Sequence, residues 1–148
     1  MLIHRLQHGV RLYAKVLYGL RSRLTVASMP ELDASLDPGP IWPDWIEQGT
    51  PEASFRVFAT SPDKGLAVGV WHCTEGTFRW HFDCDEIVYI LSGGVDVEHD
   101  GQLHQLRPGS VALFPVGSIS RWRVRGHVRK LFVHRHPTPF ARKLVGLA

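Results

Sequence analysis

Between Phe55 and His134 the chain is cut into short runs that are apolar or alternate apolar with polar residues: FRVFAT, GLAVGVWHC, TFRWHF, EIVYIL, VDVEHD, QLHQL, SVALF, ISRWRV and VRKLFVH. Most are set off by Gly, Pro or Asp, and no helical spacing intervenes. Runs of about five to eight residues at this even spacing specify strands, and so many of them specify an all-β barrel or sandwich. The 148 residues, 44% hydrophobic and 21% charged, suffice for one domain with its own core.

Two stretches precede the strands. MLIHRLQHGVRLYAKVLYGLRSRL places Leu2, Leu6, Val10, Tyr13, Leu17, Leu20 and Leu24 at steps of four and three, which predicts a basic amphipathic helix over residues 1–28. Such a helix suits an anionic membrane, a transit peptide, or packing of its leucine stripe on its own domain or a second subunit; the last is the expectation. Residues 29–51 hold five prolines, so regular structure is short-lived there, yet Trp42, Trp45 and Ile46 are large and apolar. An ordered covering arm is predicted, followed by a barrel over about 52–136, within a single domain of residues 29–148.

Charge is distributed unevenly. Residues 1–30 carry five Lys/Arg and no acid, residues 31–100 three Lys/Arg and all fourteen acids, and residues 101–148 nine Lys/Arg and no acid. Basic and acidic blocks far apart in sequence are commonly brought together by folding. Asp96, Glu98 and Asp100 alternate along one run, and Arg121, Arg123 and Arg125 along another, so a cross-strand ladder of opposite charges is expected in place of a nucleic-acid surface. Cys73 and Cys84 make no disulfide framework, and no long apolar run or secretory pattern is present, so a cytoplasmic protein without membrane contact is expected.

Glu86 is followed by six residues and Gly93; Gly109 is followed by five residues and Pro115-Val116-Gly117. With GVWHCTEGTFRW, DEIVYILSGGVDV, LRPGSVALFPVGS and RWRVRGHVRKLFV, this spacing resembles the cupin superfamily, and within it the (S)-ureidoglycine aminohydrolase-like and ethanolamine-utilisation cupins, from about Gly49 to His134. The resemblance implies an RmlC-like jelly-roll β-barrel. Gly93 and Gly94 are expected to turn the chain sharply between two strands, and Gly109 and Gly117 to bracket the next one.

Metal-dependent cupins hold their ion with three histidines and a glutamate. Carried over by position, the ligand sites fall on Arg79, His81, Glu86 and Ser120, so no intact three-His/one-Glu site is expected. A guanidinium repels a divalent cation, and a serine is a poor ligand for Mn, Fe or Zn. If a metal binds, His81 and Glu86 are the expected ligands, with a substitute from Asp83, Cys84 or Asp85.

The alternative is a metal-free pocket at the barrel mouth lined by Arg79, His81, Glu86, Ser120 and Trp122. There Arg79 would grip a carboxylate or phosphate, and His81 and Glu86 would pass a proton. The simplest alternatives are a His81–Glu86 hydrogen bond and an Arg79–Glu86 ion pair. The function expected is therefore small-molecule binding, for an anionic or ureide-like metabolite, in a homodimer. Two other readings stand beside it: a metal-dependent enzyme, hydrolysing a C–N bond in the manner of the aminohydrolases, and a non-catalytic accessory subunit attached through its amino-terminal helix. The sequence contains no Gly-x-Ser-x-Gly, phosphate loop or Cys-x-x-Cys.

Overall fold

The computed structural model describes residues 23–137. The helix expected over residues 1–28 lies outside them, apart from residues 23–28, which have no regular secondary structure. A short helix α1 (Met29–Asp33) leads into eight strands: β1 (Asp37–Pro38), β2 (Ile46–Gln48), β3 (Ala53–Thr60), β4 (Leu66–His81), β5 (Asp85–His99), β6 (Gln102–Leu106), β7 (Val111–Phe114) and β8 (Ile119–Arg135). All pairings are antiparallel, in the order β1-β3-β4-β8-β5-β6, with β2 on β4 and β7 on β5. The all-β expectation holds, as a jelly roll.

Three long strands carry the architecture. β8 pairs with β4 from Leu66↔Arg135 to His81↔Ile119, and with β5 from Asp85↔Arg135 to Glu98↔Arg121. Runs that read as separate strands, such as EIVYIL and VDVEHD, are halves of one strand crossing a β-bulge. An extra residue bends a long strand, which lets it wrap a core instead of lying flat.

Gly93 therefore does not turn the chain between two strands. It sits inside β5, between irregularities at Ile90/Ser92 and Gly93/Val95, with φ +68°. A Cβ there would stand 2.0 Å from the carbonyl oxygen of His127, so only glycine admits β8 at that distance.

Alternation fills the interior. Phe78, Val88, Ile90, Val95, Val97, Trp122, Val124 and Val128 are fully buried, as is Cys73. Burial pushes the Cys73 thiol up to about 12, which makes it a core residue and not a nucleophile. The arm covers this core: Ile41 is buried, Trp45 and Ile46 pack on it, and β2 hydrogen-bonds to β4.

The charge ladder forms on the outside. Asp96 pairs in register with Arg123 and Glu98 with Arg121; Arg125 and Arg107 reach Asp96 at 3.2 and 2.7 Å, and Arg121 reaches Glu98 at 3.7 Å. Asp100 leaves the ladder. It lies in the turn to β6 at φ +48° and approaches only His99 among these groups, at 3.5 Å.

Candidate functional site

The centre of the barrel holds a buried ion pair. Glu86 of β5 and Lys130 of β8 are both 3% exposed, and the Lys130 ammonium donates to Glu86 Oε1. Lys130 follows from strand parity, because Val128, Lys130, Phe132 and His134 alternate along β8 and share its inner face. Trp71 is its register partner on β4. The Nζ lies 4.8 Å from the Trp71 ring, 4.7 Å from Trp122 and 6.0 Å from Trp80. Aromatic faces carry partial negative charge, so three indoles and one carboxylate replace the water the ammonium gave up.

Glu86 completes its bonding with His134, its register partner on β8, whose Nε2 is 3.0 Å from Oε2. An ionised carboxylate only accepts hydrogen bonds, so Nε2 carries the proton of this contact. Burial alone would raise the Glu86 carboxyl; the Lys130 charge and the two hydrogen bonds outweigh it and hold it down at about 2. The glutamate is a fixed anion at neutral pH.

Above this group opens a cavity of about 460 Å³. Pro40, Ile41, Trp42 and Trp45 of the arm form one side; Trp80, His81, Phe82, Asp83, Cys84, Glu86 and His134 line the rest. Trp45 stacks on His81, with ring centroids 4.7 Å apart, and meets Trp80 edge-on at 5.5 Å. The arm positions one aromatic wall of the opening.

The residues expected from sequence divide between the two faces of the barrel. Glu86, Ser120 and Trp122 are buried inside. Ser120 Oγ is engaged by His99 Nδ1 at 2.6 Å, and Trp122 serves as a face for Lys130. Arg79 and His81 do share a face, but it is the outer one. His81 reaches the rim of the cavity only by lying against Trp45, while Arg79 is a surface residue with 64% of its side chain exposed.

Its Nε donates to Glu47 Oε1 at 2.7 Å, and Arg121, opposite it on β8, donates to Glu47 Oε2 at 2.6 Å. Arg79 is thus neither an anion anchor in the pocket nor the partner of Glu86. The reason lies in β4: Phe78 and Trp80 occupy the inward positions, and their burial outweighs any placement that would put a guanidinium inside. The three-His/one-Glu arrangement that the cupin resemblance implies does not fit this interior. The ammonium of Lys130 already occupies one oxygen of Glu86, the Trp80 ring of β4 lies 6.0 Å from that ammonium, and Ser120 is committed to His99.

A rolled antiparallel sheet with motif glutamate and paired glycines at these positions defines a cupin, and this chain belongs to the cupin superfamily. Within it, the model of the EutQ-like cupin domain matches residues 60–132. The chain is 29% identical over 77 residues to the acetate kinase EutQ of Clostridioides difficile, covering 52% of this chain and 49% of that protein. It therefore spans about half the length of that relative. The solved structure of the Clostridium difficile EutQ protein superposes with a TM-score of 0.53 at 25% identity, over 63% of this chain and 76% of the other. The cupin domain of Schizosaccharomyces pombe Cnp3 superposes with a TM-score of 0.63 at 17% identity, over 85% and 83%, and shows the shared fold.

Proposed function

We propose that this chain is a small-molecule-binding cupin that receives a neutral, planar molecule bearing N–H groups, a ureide or amide, in the mouth of the barrel. The observation that carries this reading is the fixed Glu86 anion beside His134 at the inner end of a cavity walled by Trp45 and Trp80. A carboxylate offers about four lone-pair sites. Lys130 and His134 use two, which leaves acceptors for ligand N–H groups. Indole walls favour flat ligands.

An anionic ligand fits less well. No Lys or Arg lines this opening among the described residues, since Arg79 faces outward and Lys130 lies behind Glu86. Acetate kinase activity, named for the EutQ relative, is not proposed for this chain for the same reason, and because the match covers half of that protein. A second reading, hydrolysis of a C–N bond in the bound ureide, is favoured by the His134–Glu86 pair, a carboxylate–imidazole couple of the kind that moves protons.

Thermal shift with neutral ureides (allantoin, ethylurea) against acetate and succinate tests the binding reading. A ligand at a hundred times its Kd adds about 2.7 kcal/mol of stability. Saturable stabilisation by the ureides supports the reading; stabilisation by the carboxylates alone overturns it. Ammonia release from a stabilising ureide tests the second.

A further inference from the structure

The antiparallel register sets Glu86 opposite His134 and ends at Asp85 opposite Arg135; Cys84 and His136 are the residues immediately beyond that end. Residues two apart on a strand share a face, so Cys84 and Glu86 on one side meet His134 and His136 on the other. One donor atom from each of Cys84, His134 and His136 lies within 4.8 Å of the other two. We infer that these three residues form a binding site for zinc, or a divalent ion of similar preference, at the rim of the barrel.

The donor set selects the ion. Burial, with the charges of Asp83, Glu86 and Asp85, pushes the Cys84 thiol up to about 12, so the bound ion itself would have to displace the proton. The thiolate so formed, with two imidazoles, suits zinc, and three protein ligands leave a fourth tetrahedral position for water or a ligand. Around zinc the donors would stand about 3.3–3.6 Å apart, so the site closes by roughly an ångström on binding. His136 is exposed and has room to move, while the backbone N–H of His136 anchors its strand to the carbonyl of Gly65 at 2.7 Å.

The surroundings are those of a ligand histidine. The Nε2 of His134 lies 3.0 Å from Glu86 Oε2, which orients the ring and leaves Nδ1 as the nitrogen not engaged by the carboxylate. Carboxylates in this supporting position are a regular feature of metal-bound histidines. Glu86 is itself held by Lys130, so it supports the ligand and is not one. The site thus differs from a three-His/one-Glu cupin centre in every ligand. It does not depend on the ureide reading, because it can be assayed with no organic ligand present.

The test is cobalt titration of the full chain without an affinity tag. One equivalent of Co(II) should bind with a thiolate-to-cobalt charge-transfer band in the near ultraviolet and tetrahedral visible bands, and zinc should displace it. Cys84→Ser should abolish the charge-transfer band, Cys73→Ser should preserve it, and His136→Ala, at an exposed position, should weaken binding at least tenfold. Absence of the band in folded protein, or a band that survives Cys84→Ser, overturns the inference. If Cys84→Ser does not fold, undiminished affinity in His136→Ala overturns it alone.

Discussion

Lys130 donates its ammonium proton to Glu86 where only 4% of either side chain meets solvent, and Trp71 and Trp122 present their rings to the same nitrogen. Removing one charge strands the other in a medium that solvates it poorly. Lys130→Met and Glu86→Gln should each lower stability by about 3–5 kcal/mol in urea denaturation. Lys130→Met with Glu86→Leu should recover much of that loss, since an apolar pair of similar volume needs no partner. Equal loss in the double variant would show that the pair is not the organising contact.

Gly93 and Gly109 both adopt positive φ but differ in their surroundings. A Cβ at Gly93 meets the His127 carbonyl oxygen at 2.0 Å, while at Gly109 nothing lies within 4 Å. Gly109→Ala should cost about 1–2 kcal/mol, the backbone strain alone. Gly93→Ala should cost clearly more, because β8 must also shift; similar melting temperatures for the two would contradict the strand-crossing role given to Gly93.

The outer ladder predicts acid sensitivity. The hydrogen bond from Arg107, with the charges of Arg107, Arg125 and Arg123, holds Asp96 below its ordinary value of 3.8 despite its burial, and the Arg121 and Arg79 hydrogen bonds lower Glu47. A carboxylate lowered on folding contributes stability above its unfolded pKa and loses it as pH falls through the folded one. Asp96→Asn should therefore cost about 1 kcal/mol at pH 7, and the cost should shrink as the pH falls below the ordinary aspartate range. A pH-independent loss would assign the effect to packing.

Arg79 separates surface from site. Its ion pair with Glu47 is exposed on the Arg79 side, so Arg79→Ala should cost less than about 1 kcal/mol. Ligand affinity should be unchanged. A tenfold or greater loss of affinity in calorimetry would return Arg79 to the site.

The strand-built class, the β5–β8 neighbourhood and the placing of Glu86 and Trp122 inside were legible because period-two alternation and spaced glycines act locally; the number of strands was not, since bulges join pairs of runs into the single long strands β4, β5 and β8. The outward turn of Arg79 and His81 was not, because a one-residue choice of register inverts every side chain, and here it was settled by Phe78 and Trp80 burying themselves. Lys130 carried a signal that went unread: a lysine in phase with Val128 and Phe132, between two buried neighbours of the same face. Cys84 was readable as a substitute ligand, but His134 and His136 join it only through a register that sequence spacing does not contain.

The most direct test of a ligand site at the barrel mouth is calorimetric titration of one neutral ureide into three proteins: the unaltered chain, His134→Ala and Arg79→Ala. The account predicts saturable binding to the unaltered chain and to Arg79→Ala with the same Kd, and loss of at least tenfold in His134→Ala. Binding that survives His134→Ala unchanged and disappears with Arg79→Ala would contradict it.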